Sequence, residues 1–321
     1  MSQKPQKKRH AKGVDMSRYG YLFIMPFFLV YLIFQAYPLF NTIYLAFQRY
    51  MITGTNKTVG PEFYGLKNFE NVLTKGNTIQ VFQNTAIMWI INFIPQILLA
   101  LLLAKWFTDT RLKLRGQGAI KVMIYMPNII TAASISVLFY SLFAFPQGPA
   151  NSLLAQLGII DKATYLNTGS AATVAYRFLE KGWSVRLIVA FINFWMWYGN
   201  TMIVLVAGIL GISPSLFEAA EVDGAGAIRC YFHIALPVCR PAIGAALALS
   251  FADCWNLVEQ PMTYLSQRTE LQPLSVMFNQ LVSQSSGVEF AGAVLYILPA
   301  LFIYLYFLED ILSGIQLTEL K

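Results

Sequence analysis

Polar side chains set inside long apolar runs are where this chain could do chemistry. The run "FINFWMWYGN" places Asn193, Trp197 and Asn200 at i, i+4 and i+7, on one face of a helix, with Trp195 and Tyr198 beside them. Read as continuous helix, "SFADCWNLVEQP" sets Asp253, Asn256 and Gln260 on one face and Trp255 with Glu259 on another. Rings beside amides and carboxylates suit a polyhydroxylated solute, because rings stack on CH faces while the polar groups bond hydroxyls. Taken singly, the same residues read equally well as interhelical hydrogen bonds or an aromatic belt; as a set they favour a path, since polar groups in a span mark either a path or a helix contact. A third cluster is "FEAAEVDGAGAIRCYFHIALP", Phe217 to Pro237, with three acids within six positions and many small residues. Enzyme chemistry has little to work with. The only histidines are His10 and His233, neither in an apolar run, and Cys230-x2-His233-x5-Cys239 offers three metal ligands at irregular spacing. We therefore expect no catalytic site, no metal and no cofactor on this chain.

The elements that must position these residues are membrane helices. Of 321 residues, 56% are apolar, 15% aromatic and only 12% charged, about half the charge of a soluble domain. Six runs are long enough to cross a bilayer: 20–47, 80–107, 120–145, 186–211, 242–261 and 291–312. The expected fold is an all-α integral membrane protein with six transmembrane helices. The fifth is the least apolar, carrying Asp253, Asn256 and Glu259. The first run is too long for a signal peptide and lacks a cleavage site. The late-lying cysteines, Cys230, Cys239 and Cys254, read as free thiols rather than a disulfide framework.

The net charge of +7 comes from scattered loop and tail residues rather than one basic face, which argues against nucleic acid. Lys and Arg bias sets the orientation. Six lie in tail 1–19, five in loop 105–121, two in loop 212–241 and one at Lys321, against nine in the longer opposite loops. Both termini are expected on the cytoplasmic side. The sequon at Asn56 then falls outside. The organisation expected is a basic tail 1–19, a first helix and outer loop 20–79, a membrane core 80–313 and a short C-terminal tail 314–321.

On the cytoplasmic side, "GISPSLFEAAEVDG" reads as a short helix with both ends marked. Ser213 or Ser215 caps it, Pro214 suits its first turn, and Ser215-x-x-Glu218 fits a capping box. Gly224 suits a left-handed C-terminal turn. Leu216, Ala219, Ala220 and Asp223 share one narrow face. A helix of about nine residues spans only ~13 Å and is marginal without tertiary support. A second short helix is expected over about 225–234. Small residues beside carboxylates invite close approach by a basic partner, whereas an ordinary interfacial hairpin is the plainer alternative.

The order Glu218-Ala219-Ala220, three residues, Gly224, nine residues, Ile234, one residue, Leu236-Pro237 resembles the EAA signature of permease subunits in binding-protein-dependent ABC importers. "AGILGISPSLFEAAEVDGA" is similar to the approach to this motif in the carbohydrate-uptake branch. "YLFIMPFFLVYLIFQAYPLFNTIYLAFQ", "FYGLKNFENVL" and "NTAIMWI" resemble the opening of the first permease of maltose-type and glycerol-phosphate-type systems. The resemblance implies a coupling helix that sits in a cleft of an ATPase subunit. Glu218 would pair with a basic group there, Ala219 and Ala220 would keep the contact close, and Gly224 would turn the chain. Tyr231 stands where the family often has Phe. After span five, "WNLVEQPMTYLSQ" resembles the companion permease type rather than the Gly-Gly-Pro of many first permeases. The implied partners are a second homologous permease, two ATP-binding cassette subunits, an extracytoplasmic solute-binding protein and the lipid bilayer of a bacterial inner membrane. ATP and Mg would belong to the ATPase subunits, and this chain has no GxxxxGK[ST] loop. The cargo implied by that branch is a sugar, an oligosaccharide first, with a solute such as glycerol phosphate as the alternative; an ion-coupled secondary transporter is the rival class.

Overall fold

The computed structural model describes residues 17–52, 58–75, 77–109, 115–167, 169–266, 268–281 and 286–312. Most of the basic tail, the Asn56 sequon, Arg111, Lys113 and the 314–321 tail lie outside the described residues. Helices α1 (Ser17–Tyr31) and α2 (Tyr37–Ala46) are joined by a π turn, Leu32–Ala36, into one 28-residue apolar rod, Tyr19–Ala46. Strands β1 (Gln48–Ile52) and β2 (Thr58–Phe63) form an antiparallel hairpin, the one departure from the all-helical expectation among the described residues. Next come α3 (Lys67–Lys75), α4 (Thr78–Thr108), α5 (Gln117–Ile129), α6 (Ala132–Leu142), α7 (Pro149–Gln156), α8 (Lys162–Leu166), α9 (Ala171–Val174) and α10 (Gly182–Leu210). Short helices α11 (Pro214–Val222), α12 (Ala227–Cys230) and α13 (Leu236–Val238) lead to α14 (Arg240–Trp255), α15 (Glu259–Leu265), α16 (Leu274–Leu281) and α17 (Gly287–Tyr306).

Four of these helices are long and apolar enough to cross a membrane: Tyr19–Ala46, α4, α10 and α17. Two further candidates are bent pairs. Helices α5 and α6 meet at 88°, and Ile228–Val238 meets α14 at 65°, so the chain carries four to six candidate spans. The expected span 120–145 is therefore two helices rather than one. Its break follows Pro127, and Thr131 starts α6 as a side-chain cap, its Oγ1 accepting the Ser134 N–H at 3.3 Å.

The chain's two described π turns have a common cause. Leu32–Ala36 ends two residues before Pro38, and a second, Tyr231–Ala235, ends two residues before Pro237. A proline ring clashes with the carbonyl four residues back, here Phe34 and His233, and widening the turn relieves the clash. In both turns the next N–H, of Tyr37 or Leu236, donates to the carbonyl five residues earlier, of Leu32 or Tyr231.

Helices α4 and α10 are the centre of the molecule. Half of the apolar window of α10 is buried, against none of Tyr19–Ala46. The two run in the same direction. Arg186 meets Asn84 near their N-terminal ends, and Ala104 shares a cluster with Leu205 and Ile209 near the other. Helix α5 crosses α10 at Gly199, where an added Cβ would stand 2.5 Å from the Ile124 carbonyl oxygen, so only glycine permits that approach. Helix α14 runs opposite to α4, with Cys239 in the lower cluster and Phe251 packed with Val81 above. One end of the bundle thus gathers α11–α13, the C-terminal end of α4 and the start of α5, where Gln117 Nε2 donates to the Phe107 carbonyl at 2.6 Å. The opposite end gathers the β-hairpin, α3 and the 268–286 region, joined by Asn68 Nδ2 to the Ala46 and Gln48 carbonyls and by Met51 bridging to Ser286.

Candidate functional site

Two regions hold the residues singled out above. The first is the Phe217–Pro237 element. Helix α11 covers Pro214–Val222, with Pro214 in its first turn. Ser213 Oγ and Ser215 Oγ lie 2.8 Å apart and are bonded to each other. At the other end Gly224 has φ +79° and the Ala225 N–H donates to the Ala220 carbonyl at 2.9 Å, the six-to-one bond of a Schellman-type stop. An added Cβ at Gly224 would meet nothing within 4 Å, so its glycine is required by backbone conformation alone.

The two sides of this element differ in kind. Phe217, Tyr231, Ala235 and Cys239 pack into the cluster of Ala100, Ala104, Met202, Leu205, Ile209 and Ile212 at the ends of α4 and α10. Glu218, Ala219, Asp223, Gly224 and Pro237 are exposed, while Ala220, Ile234 and Leu236 are half-buried. Exposed apolar side chains continue that outer surface, with Val222 88% and Ile228 67% accessible. A nine-residue helix is thus held from one side by an aromatic anchor. Its other side presents carboxylates, small residues and uncovered apolar groups. The second short helix begins at Ala227 and continues with the π turn to Val238, longer than expected.

The second region is the polar lining of α10 and α14. Asn193 is buried, and neither its Nδ2 nor its Oδ1 has a partner among the described residues. Trp197 is half-buried against the cluster of Met88, Ile188 and Ile192, and its carbonyl accepts from Thr201 Oγ1 at 3.3 Å. Tyr198 and Asn200 are half-buried, flanking the Gly199 crossing, with the Tyr198 ring 5.8 Å from Phe194.

The expected faces on span five are not those observed. Helix α14 ends at Trp255, and the chain restarts as α15 at Glu259. Asp253 lies on α14, Asn256 caps its end, and Gln260 belongs to the next helix, so the three do not share one helical face. The Asn256 N–H closes the helix on the Ala252 carbonyl at 3.1 Å, and its side-chain Nδ2 donates to the same carbonyl at 2.8 Å. An asparagine competing for helical backbone in this way favours a stop. Asp253 is half-buried, and Asn256 and Glu259 are exposed. Trp255 is 2% accessible and packed by Phe82, Phe251 and Tyr296, so its ring offers no open face in this arrangement.

Polar contacts that the sequence reading did not single out tie these helices together. Gln96 of α4 donates to Thr201 Oγ1 at 2.7 Å and accepts from Ser250 Oγ at 3.3 Å, joining α4, α10 and α14. Asn92, one turn before Gln96, is buried with both amide atoms unpartnered. Asn84, Asn92 and Gln96 recur at i, i+8 and i+12 in an otherwise apolar run, and that spacing was the signal available to find them.

With this geometry in view, the chain was compared with known proteins. The family described as "Binding-protein-dependent transport system inner membrane component" matches residues 85–308. The chain belongs to that family. Its members' region covers α4 to α17, the central helices and the Phe217–Pro237 element together. Among relatives, the polygalacturonan/rhamnogalacturonan transport system permease protein YteP of Bacillus subtilis is 27% identical over 255 residues, 79% of this chain and 74% of that protein. The lactose transport system permease protein LacF of Rhizobium radiobacter is 28% identical over 224 residues, 70% and 68% of the two chains. A solved bacterial ABC transporter involved in import of the acidic polysaccharide alginate aligns with a TM-score of 0.69 at 22% identity, covering 92% of this chain and 96% of that one. That likeness establishes the fold. This member of the inner membrane component family is a multi-pass membrane protein, and its relatives are transport permeases.

Proposed function

We propose that this chain is a membrane-spanning subunit of an ATP-driven importer that carries an oligosaccharide delivered by an extracytoplasmic binding protein. In this reading the bent pair α5–α6 makes one span and 242–261, chiefly α14, makes another, giving six, with both termini in the cytoplasm. Loop charge supports that orientation. The chain pairs with a homologous permease, and two ATPase subunits hold ATP and Mg. Closure of the ATPases draws the Phe217–Pro237 elements together and opens the cavity outward, and hydrolysis returns it inward. Glu218 and Asp223 meet basic groups of the ATPase, Ala219 and Ala220 admit close contact, and Gly224 turns the chain. Tyr231, Ile234 and Leu236 seat the element against the spans, and Pro237 lies on its exposed side. Asn193, Trp197, Tyr198, Asn200 and Asp253 line the solute path, with Asn256 and Glu259 at its mouth.

The observation that carries this reading is the two-sidedness of the element, anchored by Phe217 and Tyr231 yet open along Glu218, Ala219, Val222 and Asp223. An element built only to join two spans would not need an exposed apolar and acidic edge on an anchored base. The oligosaccharide assignment draws on the names of the relatives, which include systems for lactose, arabinooligosaccharides and polygalacturonan. Purification in mild detergent tests the assembly: ATPase subunits should co-purify, and a lone chain that transports on an ion gradient would refute it. Uptake of labelled lactose, arabinotriose and trigalacturonate into proteoliposomes of the complex tests the cargo, and ATP-dependent import of none of the three would count against it.

A further inference from the structure

Tyr231 opens the second π turn, and its side chain runs from the exposed edge of the element toward α4. Its hydroxyl donates to the Leu101 carbonyl at 3.2 Å, and the Lys105 ammonium lies 5.3 Å from its ring centroid. Phenylalanine at this position would keep the ring packing and the cation–π contact and lose the hydrogen bond. Leu101 lies inside a helix, so its carbonyl already accepts one helical N–H, and Tyr231 takes its second lone pair.

Helix α4 runs on through Pro95 as one helix of 31 residues, about 46 Å long at 1.5 Å per residue. Its far end is clamped as well. Asn84 Nδ2 donates to the carbonyls of Glu270 and Gln272 at 2.9 and 3.1 Å, Gln80 Nε2 donates to Glu270 at 3.0 Å, and Thr85 Oγ1 accepts the Leu274 N–H at 2.9 Å. The Arg186 guanidinium holds the Asn84 carbonyl group at 2.6 Å, which leaves the amide of Asn84 turned toward the 270–272 backbone. A rod fastened at both ends therefore links the Phe217–Pro237 element to the 268–274 segment on the opposite side of the bundle.

We propose that Tyr231 is a positioning residue that fastens the ATPase-facing element to α4, so that the two move as one body and the displacement reaches the 268–274 segment. This rests on the docking reading above. Coupling between distant sites is carried by contiguous packed helices and hydrogen bonds, and the Tyr231–Leu101 bond, the unbroken α4 and the Asn84 clamp supply each link.

Spin labels at Val238→Cys and Trp106→Cys, both on exposed positions, report the distance between the element and the last turn of α4. The native cysteines are buried. In the purified complex with its ATPase subunits, this distance should be single and unchanged between the nucleotide-free and the ATP-plus-vanadate states. Tyr231→Phe should raise the detached, longer-distance population about five-fold in the vanadate state, the effect of losing one net hydrogen bond. Lys105→Gln should shift it in the same direction. An unaltered distance distribution in Tyr231→Phe in both states overturns the inference while leaving the docking reading intact. If the unsubstituted chain purifies without ATPase subunits, the docking reading fails and takes the inference with it.

Discussion

Trp255 and Tyr296 hold each other's backbones. The Trp255 indole Nε1–H donates to the Tyr296 carbonyl at 3.0 Å, and the Tyr296 hydroxyl donates to the Trp255 carbonyl at 2.8 Å, with the two rings 5.6 Å apart. The pair closes the C-terminal end of α14 onto the middle of α17. Asn256 Oδ1 lies 2.9 Å from the same hydroxyl, so the last residue of the helix and its cap share that one donated proton. Tyr296→Phe leaves the Trp255 carbonyl at a helix end without this partner and should destabilise the protein by about 1–3 kcal/mol. Thermal unfolding in detergent, followed by tryptophan fluorescence, should show a lower transition and a red-shifted emission as Trp255 loosens.

Gly224 separates a conformational requirement from a steric one. With φ +79° and open space around the position, Gly224→Ala meets no clash and carries only the left-handed backbone cost of ~1–2 kcal/mol. The cost falls on the stop of α11, which has few contacts of its own. Membrane insertion and the thermal transition of the bundle should stay near those of the parent chain. Recovery of ATPase subunits in pull-down should drop several-fold, and Gly224→Asn, which tolerates left-handed backbone better, should recover part of it.

The Gly199 crossing should behave in the opposite way. A Cβ there would lie 2.5 Å from the Ile124 carbonyl oxygen and 3.1 Å from the Tyr125 Cα, both backbone atoms that cannot turn aside. Gly199→Ala must push α5 away from α10 and should cost several kcal/mol, in the range of core overpacking or beyond. Gly118, on the same α5 but with nothing within 4 Å of an added Cβ, is the control. Gly118→Ala should be neutral or stabilising by up to ~1 kcal/mol. Equal melting of the two variants would show that α5 and α10 do not cross at Gly199.

Long apolar periodicity made the helices readable, because a span needs about 20 apolar residues whatever surrounds it. Helices Tyr19–Ala46, α4, α10 and α17 consequently fall within a few residues of the expected runs, except that α17 begins and ends about five residues early. The ends of α11 were readable through the backbone preferences of Pro214 and Gly224, but not the capping box: Ser215 lies inside the helix, and its hydroxyl bonds that of Ser213. Hydrophobicity alone did not reveal the breaks in the runs expected as spans three and five. A break at Pro127 or after Trp255 changes direction without changing composition. Asn256 looked like a point on a polar stripe, yet its side chain bonds the Ala252 carbonyl and ends the helix. Trp255 looked like a solute platform because aromatic rings serve binding and packing equally. Its burial depends on Phe82, more than 170 residues earlier, and on Tyr296, which no local pattern could supply.

Asn193 offers the sharpest division between a structural and a transport role. An amide buried with neither polar atom satisfied pays its desolvation without return, a debit of about 1–3 kcal/mol. Asn92 on the facing helix carries the same penalty, so these amides lower the stability of the α4–α10 interface rather than holding it together, unlike the Gln96–Thr201 bond a turn away. Asn193→Leu, close in volume and wholly apolar, should therefore raise the thermal transition. If Asn193 bonds solute hydroxyls during passage, the same variant should lower ATP-dependent uptake of the saccharide that the complex imports, while leaving binding of that saccharide to the extracytoplasmic protein untouched. Gln96→Leu should do the reverse on stability, because it strands the hydroxyls of Thr201 and Ser250. A stabilised Asn193→Leu chain that transports at the parent rate would remove Asn193 from the path and leave it as an unexplained interface amide. A destabilised one would mean that the amide finds partners in the membrane-embedded complex, and that its role is to join helices.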